Sequence, residues 1–269
     1  MYSQSDKVML TVDRVTKEFQ LNGDASITAL SDMSFSVAKN ESCVLLGPSG
    51  CGKSTMLRLV AGLEEPTRGA IYLHGTEIIG PGPDRGMIFQ TYTSFPWLNV
   101  QQNVEYGLRL QGMGKAERAE RAAHFIDLVD LTRFRHVFPK ALSGGMKQRV
   151  AIARTLANEP ALLLMDEPFG ALDAETRWRM QELLLKVIER SNTTVLLVTH
   201  DIHEAIFLAD RIVFMTRHPG RVLEDISVAF KREVKFLQKE DILTDPEYGR
   251  LDRKIMRMMR REAMVNADD

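Results

Sequence analysis

Three short stretches of this chain carry residue types that together handle phosphate. "GPSGCGKST", Gly47 to Thr55, has the spacing of a complete phosphate loop. The glycines Gly47, Gly50 and Gly52 let backbone N–H groups converge where a side chain would collide. Pro48, Ser49 and Cys51 fill the remaining loop positions. Lys53 reaches the outer phosphates, the Ser54 hydroxyl is placed for a magnesium ion, and Thr55 can add a phosphate hydrogen bond. "LLLMDEP" ends in two acids. Asp166 is suited to hold magnesium, largely through water, and Glu167 to orient or deprotonate an attacking water. His200, at the end of "TTVLLVTH", is a polar residue closing an apolar run and is placed to face a terminal phosphate. The third stretch, "LSGGMKQR" from Leu142 to Arg149, sets Ser143, Gly144 and Gly145 before a helical pattern. It is a second phosphate grip, and it is also an ordinary helix N-cap. One nucleotide needs only one loop, so the second grip requires an explanation.

Such chemistry needs strands that deliver the loops and helices that start at them. "VMLTVDRVTKEF" and "ITALSDMSFSVA" alternate apolar and polar residues and predict antiparallel strands with one wet face. "SCVLLG" is a short apolar strand, followed by a helix from Lys53 to Leu63 and the turn "EEPTRG". "AIYLHG" and "GMIFQ" read as strands, the latter ending at Gln90. From about Leu98 to Ala157 the spacing is helical, in "VQQNVEYGLRLQG", "KAERAERAAHFIDLVDL" and "MKQRVAIARTLAN". Strands return with "ALLLMDEP" and "TTVLLVTH", accompanied by helices "AETRWRMQELLLKVIER" and "IHEAIFLAD". The expected fold is α/β: a phosphate-loop core with an N-terminal antiparallel β region and an inserted helical subdomain. The expected division is a nucleotide-binding core in 1–92 and 160–229, a helical subdomain in 93–159, and a helical extension in 230–269.

Composition narrows the function classes. With 269 residues, 44% hydrophobic, 26% charged and a net charge of −1, the chain reads as an ordinary globular protein. That charge balance excludes a nucleic-acid partner as the expectation. No apolar run approaches the roughly 18 residues that span a bilayer. The start "MYSQSDKVML" lacks a signal-peptide layout, so the expected place is the cytoplasm. Two cysteines, Cys43 and Cys51, are too few and too close for a disulfide framework. Cys51 reads as a small loop side chain, or as a reactive thiol near a helix start.

The phosphate loop, "LSGG", "LLLMDEP", "ALD" at Ala171–Asp173 and "TH" at Thr199–His200, with Gln90 between the first two, resemble the ATP-binding subunit of an ABC transporter. The resemblance covers about residues 8–225. It implies two subunits packed head to tail around two ATP molecules. Ser143 to Gly145 of one subunit then close over the γ-phosphate held by the other, which accounts for the second grip. It also implies that Phe19 stacks on adenine, although Phe19 fits a strand's core face equally well. It implies that Gln90 touches magnesium and the lytic water, and that Asp173 contacts the facing phosphate-loop region.

The segments "PDRGMIFQ", "FPWLNVQQNVEYGL" and "DEPFGALDAETR" resemble the nitrate, sulfonate and taurine importer ATPases, with Phe95 where relatives more often carry leucine. The implied partners are a second ATPase subunit, integral-membrane permease subunits and, indirectly, a solute-binding protein. The implied location is the cytoplasmic face of the inner membrane, as a peripheral subunit. "TYTSFPWL" offers Tyr92, Phe95 and Trp97 as a permease-facing surface, the alternative being that they pack inside the insertion. About forty residues follow the core, too few for the regulatory barrel of the sugar importers. Their basic helix, with Leu251, Ile255 and Met258 on one side, packs on the core, on a partner or on anionic lipid. The competing readings are an exporter or lipid-transport ATPase, a soluble ABC ATPase, and a non-hydrolysing regulator.

Overall fold

The computed structural model describes residues 8–21, 25–191, 193–228, 230 and 239–264. The reading of the N-terminal start falls partly on 1–7, and that of the extension partly on 231–238 and 265–269. Those parts lie outside the described residues. The chain divides into two compact units, Met1–Gly82 with Thr194–Asp269, and Pro83–Thr193.

The first unit holds two sheets. β1 (Val8–Gln20) pairs antiparallel with β2 (Ser26–Ala38) and with β4 (Arg68–Leu73), which turns at His74–Gly75 into β5 (Thr76–Glu77). The alternating burial of β2 matches its apolar–polar alternation, with Met33, Phe35 and Val37 buried. In the second sheet β3 (Ser42–Leu46) lies between β9 (Arg211–Met215) and β8 (Thr194–Thr199), parallel to both. β10 (Val222–Ser227) adds an antiparallel edge. β3 and β8 are buried throughout, which is why they read as unbroken apolar runs rather than alternations. α1 (Lys53–Ala61) follows β3, and α6, reached after β8, spans Ile202–Leu208. Two further helices, introduced below, close the unit.

The second unit opens on β6 (Arg85–Ile88), parallel to β7 (Leu162–Asp166). Between them run α2 (Val100–Leu110), α3 (Lys115–Leu128) and α4 (Gly144–Leu156), and α5 (Ala174–Ser191) follows β7. The predicted absence of strands over 98–157 holds among the described residues. The unit borders fall outside 93–159, because β6, β7 and α5 cluster with the helices. Asn99 caps α2 in a reciprocal box with Gln102, each backbone N–H meeting the other's side chain at 2.9 and 3.0 Å.

The last two helices, α7 (Lys239–Thr244) and α8 (Pro246–Met264), belong to the first unit. Ile242, Ile255 and Met258 are buried, so α8 packs on its own unit. No helix among the described residues is long and apolar enough to cross a membrane.

Candidate nucleotide site

The first unit carries the phosphate loop. β3 ends at Leu46, and the chain turns through Gly47–Gly52 into α1. Gly52, the N-cap, has φ 94°, a left-handed conformation that side chains resist. No side chain caps α1, and the positive end of its dipole faces the loop, the arrangement that suits an anion. Lys53 is 5% exposed, and its ammonium donates to the carbonyls of Gly47 at 2.8 Å and Pro48 at 2.9 Å. The charge is therefore held inside the loop's curve. Ser49 and Gly50 stand exposed at the tip, while Ser54 and Thr55 are half-buried in the first turn of α1.

Cys51 is fully buried, with its sulfur 3.7 Å from the Lys53 ammonium. Burial pushes its thiol up, against the opposing pull of Lys53. The residue is thus a small loop filler, not a reactive thiol. His200 follows β8 and precedes Asp201, which caps α6 through Glu204 N–H at 3.0 Å. Phe19 lies near the end of β1 opposite Ile27, half-buried, with the Lys17 ammonium 4.9 Å from its ring.

The second unit carries the acids and the signature turn. Asp166 ends β7, and Glu167 follows it at φ 42°, a left-handed angle that costs about 1–3 kcal/mol for such a residue. The Gln90 amide is 3.5 Å from the Glu167 carboxylate, so these two candidates do meet. Gln90 lies beyond the end of its strand rather than in it, since β6 stops at Ile88. Gly170 sits beside both, and a β-carbon there would be 3.6 Å from the Gln90 amide nitrogen. Asp173 caps α5 by accepting from Thr176 N–H at 3.0 Å, and that bond holds its carboxyl below the usual range.

Ser143 caps α4 by accepting from Met146 N–H at 3.3 Å. The residue is exposed, Gly144 is half-buried and Gly145 buried. A β-carbon on Gly145 would come within 2.6 Å of Thr176, so the turn packs against α5 only as glycine. The "SGG" turn is thus a helix N-cap whose serine is exposed to solvent.

A model of the ABC transporter family matches residues 30–170. The nitrate import ATP-binding protein of Synechocystis sp. is 44% identical over 237 residues, 87% of this chain and 89% of that protein. The chain belongs to the ABC transporter family. The taurine import ATP-binding protein of Pseudomonas aeruginosa is likewise 44% identical, over 92% of this chain and 94% of its own length. A solved dimeric ATP-binding cassette in a post-hydrolysis state, bound to ADP and phosphate, superposes with TM-score 0.71 at 35% identity. It covers 82% of this chain and 99% of the cassette. The protein is accordingly an ABC-type ATPase that binds ATP.

Several side chains around the ABC motifs have no motif of their own. Asn103 is fully buried in α2 and makes four hydrogen bonds, accepting from Phe95 N–H and donating to the carbonyls of Phe95, Leu98 and Asn99. It ties the turn after Gln90 to α2. Its one signal was a polar residue within the buried stripe Val100, Val104, Leu108. Arg154, near the end of α4, donates to the Thr93 carbonyl at 2.7 Å and hydroxyl at 2.6 Å, and its guanidinium lies 5.2 Å from the Phe95 ring.

Proposed function

We propose that this ATPase powers import of a small solute, namely nitrate, a sulfonate such as taurine, or a related compound. In this reading it acts as a head-to-tail dimer on permease subunits at the cytoplasmic face of the membrane, supplied by a solute-binding protein. The observation that supports the dimer is the exposed Ser143 at the start of α4, a second helix N-terminus suited to an anion in a chain that already has a phosphate loop. Import rests on the likeness to the nitrate and taurine proteins.

In this reading the loop amides and Lys53 bind the triphosphate. Lys53 exchanges its two carbonyl partners for phosphate oxygens. The Ser54 hydroxyl, the Asp166 carboxylate and the Gln90 amide oxygen would be the oxygen donors to magnesium, the ligand type that ion prefers. The ion would neutralise charge on the β- and γ-phosphates. Glu167 accepts a proton from, or orients, the attacking water. Gln90, within reach of Glu167, fixes that carboxylate's direction. His200 contacts the γ-phosphate, Phe19 stacks on adenine, and Ser143 to Gly145 close over the partner's γ-phosphate. Asp173 meets the facing subunit.

For the permease, the second unit offers a cavity of about 520 Å³ lined by Phe89, Phe95, Tyr106, Leu110 and Arg154. Trp97 is 69% exposed beside it, 5.6 Å from Phe95. It therefore does not pack inside the insertion. Aromatic anchors around an apolar groove suit an amphipathic helix of a membrane subunit.

The test pairs two experiments. Glu167→Gln should keep ATP affinity, lose most turnover and accumulate an ATP-bound dimer, and near-parental turnover would defeat its role. Cysteines placed at Ser49 and Ser143 should crosslink two chains in ATP, whereas purely intrachain links would refute the shared site. Reconstitution with a permease and binding protein, with nitrate and taurine compared, then reads the solute from stimulated ATPase activity.

A further inference from the structure

We propose that α8 is a brace that fixes the position of His200 through α6, with Tyr248 as its positioning residue. This rests on the reading of His200 as the γ-phosphate contact. Only Asp201 separates His200 from α6. On the inner side, the segment from Thr199 to Glu204 is closed by three hydrogen bonds. The Thr199 hydroxyl donates to the Glu204 carboxylate, Asp201 N–H to Thr199 Oγ1 at 3.1 Å, and Glu204 N–H to Asp201 Oδ1 at 3.0 Å. Glu204 is 4% exposed. His200 is thus held between tied residues, and a displacement of α6 must carry it along.

The outer side of α6 meets α8. Ala205 to Leu208 are buried, while His203 turns out toward the C-terminal helix. Its Nδ1 lies 2.5 Å from the Tyr248 hydroxyl, and the two rings stack with centroids 6.2 Å apart. Asp252 is 3.8 Å from the same nitrogen. Burial, followed by the charges of Asp252 and Asp201, pushes the Tyr248 phenol up to about 12.

Further along, α8 is anchored away from α6. Ile255 is fully buried, Glu262 accepts from Arg217 N–H at 2.7 Å just after β9, and Lys254 pairs with Glu224 of β10. One helix therefore spans from the β9–β10 edge to the segment that presents His200. A tether of this kind acts on the hydrolysis step, not on the phosphate loop that sets affinity.

The experiment uses the full chain. Tyr248→Phe removes the hydroxyl at constant shape, Ile255→Asp undocks α8, and Arg260→Ala alters only its outer face. Tyr248→Phe should lower kcat about fivefold, the worth of one hydrogen bond, with KM and ATP affinity within about twofold. Ile255→Asp should lower kcat further, and Arg260→Ala should change nothing. His203→Gln, whose amide can donate to or accept from the Tyr248 hydroxyl, should retain the rate that His203→Leu loses. If kcat, ATP affinity and melting temperature fall in step, α8 is only a scaffold and the proposal is overturned. His200→Ala, run in parallel, separates the two readings. If it is inactive while Tyr248→Phe and Ile255→Asp both turn over at the parental rate, the brace alone fails. If it keeps parental turnover, the role of His200 fails first.

Discussion

Substituting Gly52 tests the phosphate loop by physics rather than by motif. At φ 94° and ψ 10°, an added β-carbon costs about 1–2 kcal/mol in backbone strain. It would also sit 2.6 Å from Leu30 Cδ2 and 3.0 Å from the Ala29 carbonyl of β2. The leucine tip can swing aside, but the carbonyl belongs to a paired strand. Overpacking of this kind adds about 1–3 kcal/mol, so Gly52→Ala should cost about 2–5 kcal/mol in total. Two other glycines isolate the terms. Gly50 (φ 78°) and Gly75 (φ 76°) are left-handed too, yet a β-carbon on either meets nothing within 4 Å. Gly75→Ala should carry strain alone, remote from nucleotide, and Gly50→Ala strain alone, inside the loop. The assay is urea unfolding of all three variants beside titration with a fluorescent ATP analogue. Gly52→Ala should be the least stable by about 1–3 kcal/mol, and should bind nucleotide most weakly because relief of the clash drags Lys53 from its place. If Gly52→Ala matches Gly50→Ala in both stability and affinity, the loop is not packed against β2 as described.

The buried thiols give a pH prediction. Burial pushes Cys43 up to about 12 and raises Cys51, so neither should react with a thiol reagent at pH 8 in the native protein, and both should react in urea. Unfolded thiols ionise near pH 9 while folded Cys43 keeps its proton, so the unfolded state binds fewer protons and stability should fall as pH rises from about 9 to 12. A flat stability profile across that window would contradict the burial. Arg211 donates to Glu41 at 2.8 Å, to Asp225 and to the Ser36 carbonyl, and Glu41 is 9% exposed. Arg211→Met should cost about 3–5 kcal/mol in urea unfolding by stranding that carboxylate, and Glu41→Gln should restore part of it. Phe95→Asp should leave ATP binding by the isolated subunit intact and reduce permease assembly, measured by co-purification. Equal assembly would exclude the groove.

Long periodic elements were legible because their signal is repeated. α2, α3, α4 and α5 were foreseen close to their observed spans, and so were the two long N-terminal strands. What escaped depends on single residues. α1 stops at Ala61 rather than Leu63 because Gly62 turns left-handed at φ 72° and caps it. Arg14, at φ 48°, sits where the β1–β4 register shifts between Asp13 and Thr16, and nothing in an alternating pattern announces such a bulge. Apolar Phe89 extended the strand pattern to Gln90, yet pairing ends at Ile88. In the candidate site the motif residues were legible by spacing. The left-handed Glu167 and the ties made by Asn103, Arg154 and Glu204 were not, since each works through tertiary partners.

The order of strands in the first unit has a consequence for how the protein is made. β3 is flanked in the finished sheet by β8 and β9, and its partner Val195 lies about 150 residues after Ser42. The antiparallel sheet of β1, β2, β4 and β5 needs only residues before Gly82 and can assemble early. The second unit is one continuous stretch and can also fold as it emerges. β3 can do neither. At ribosomal speeds of about 5–20 residues per second, its apolar "SCVLL" waits about 8–30 seconds for parallel partners. During that time both edges of the strand are open to pairing with other chains. The phosphate loop that β3 carries stays unformed for the same interval, so nucleotide cannot rescue the nascent chain by binding early. Slowing translation between β3 and β8 lengthens the time that this central strand stays unpaired.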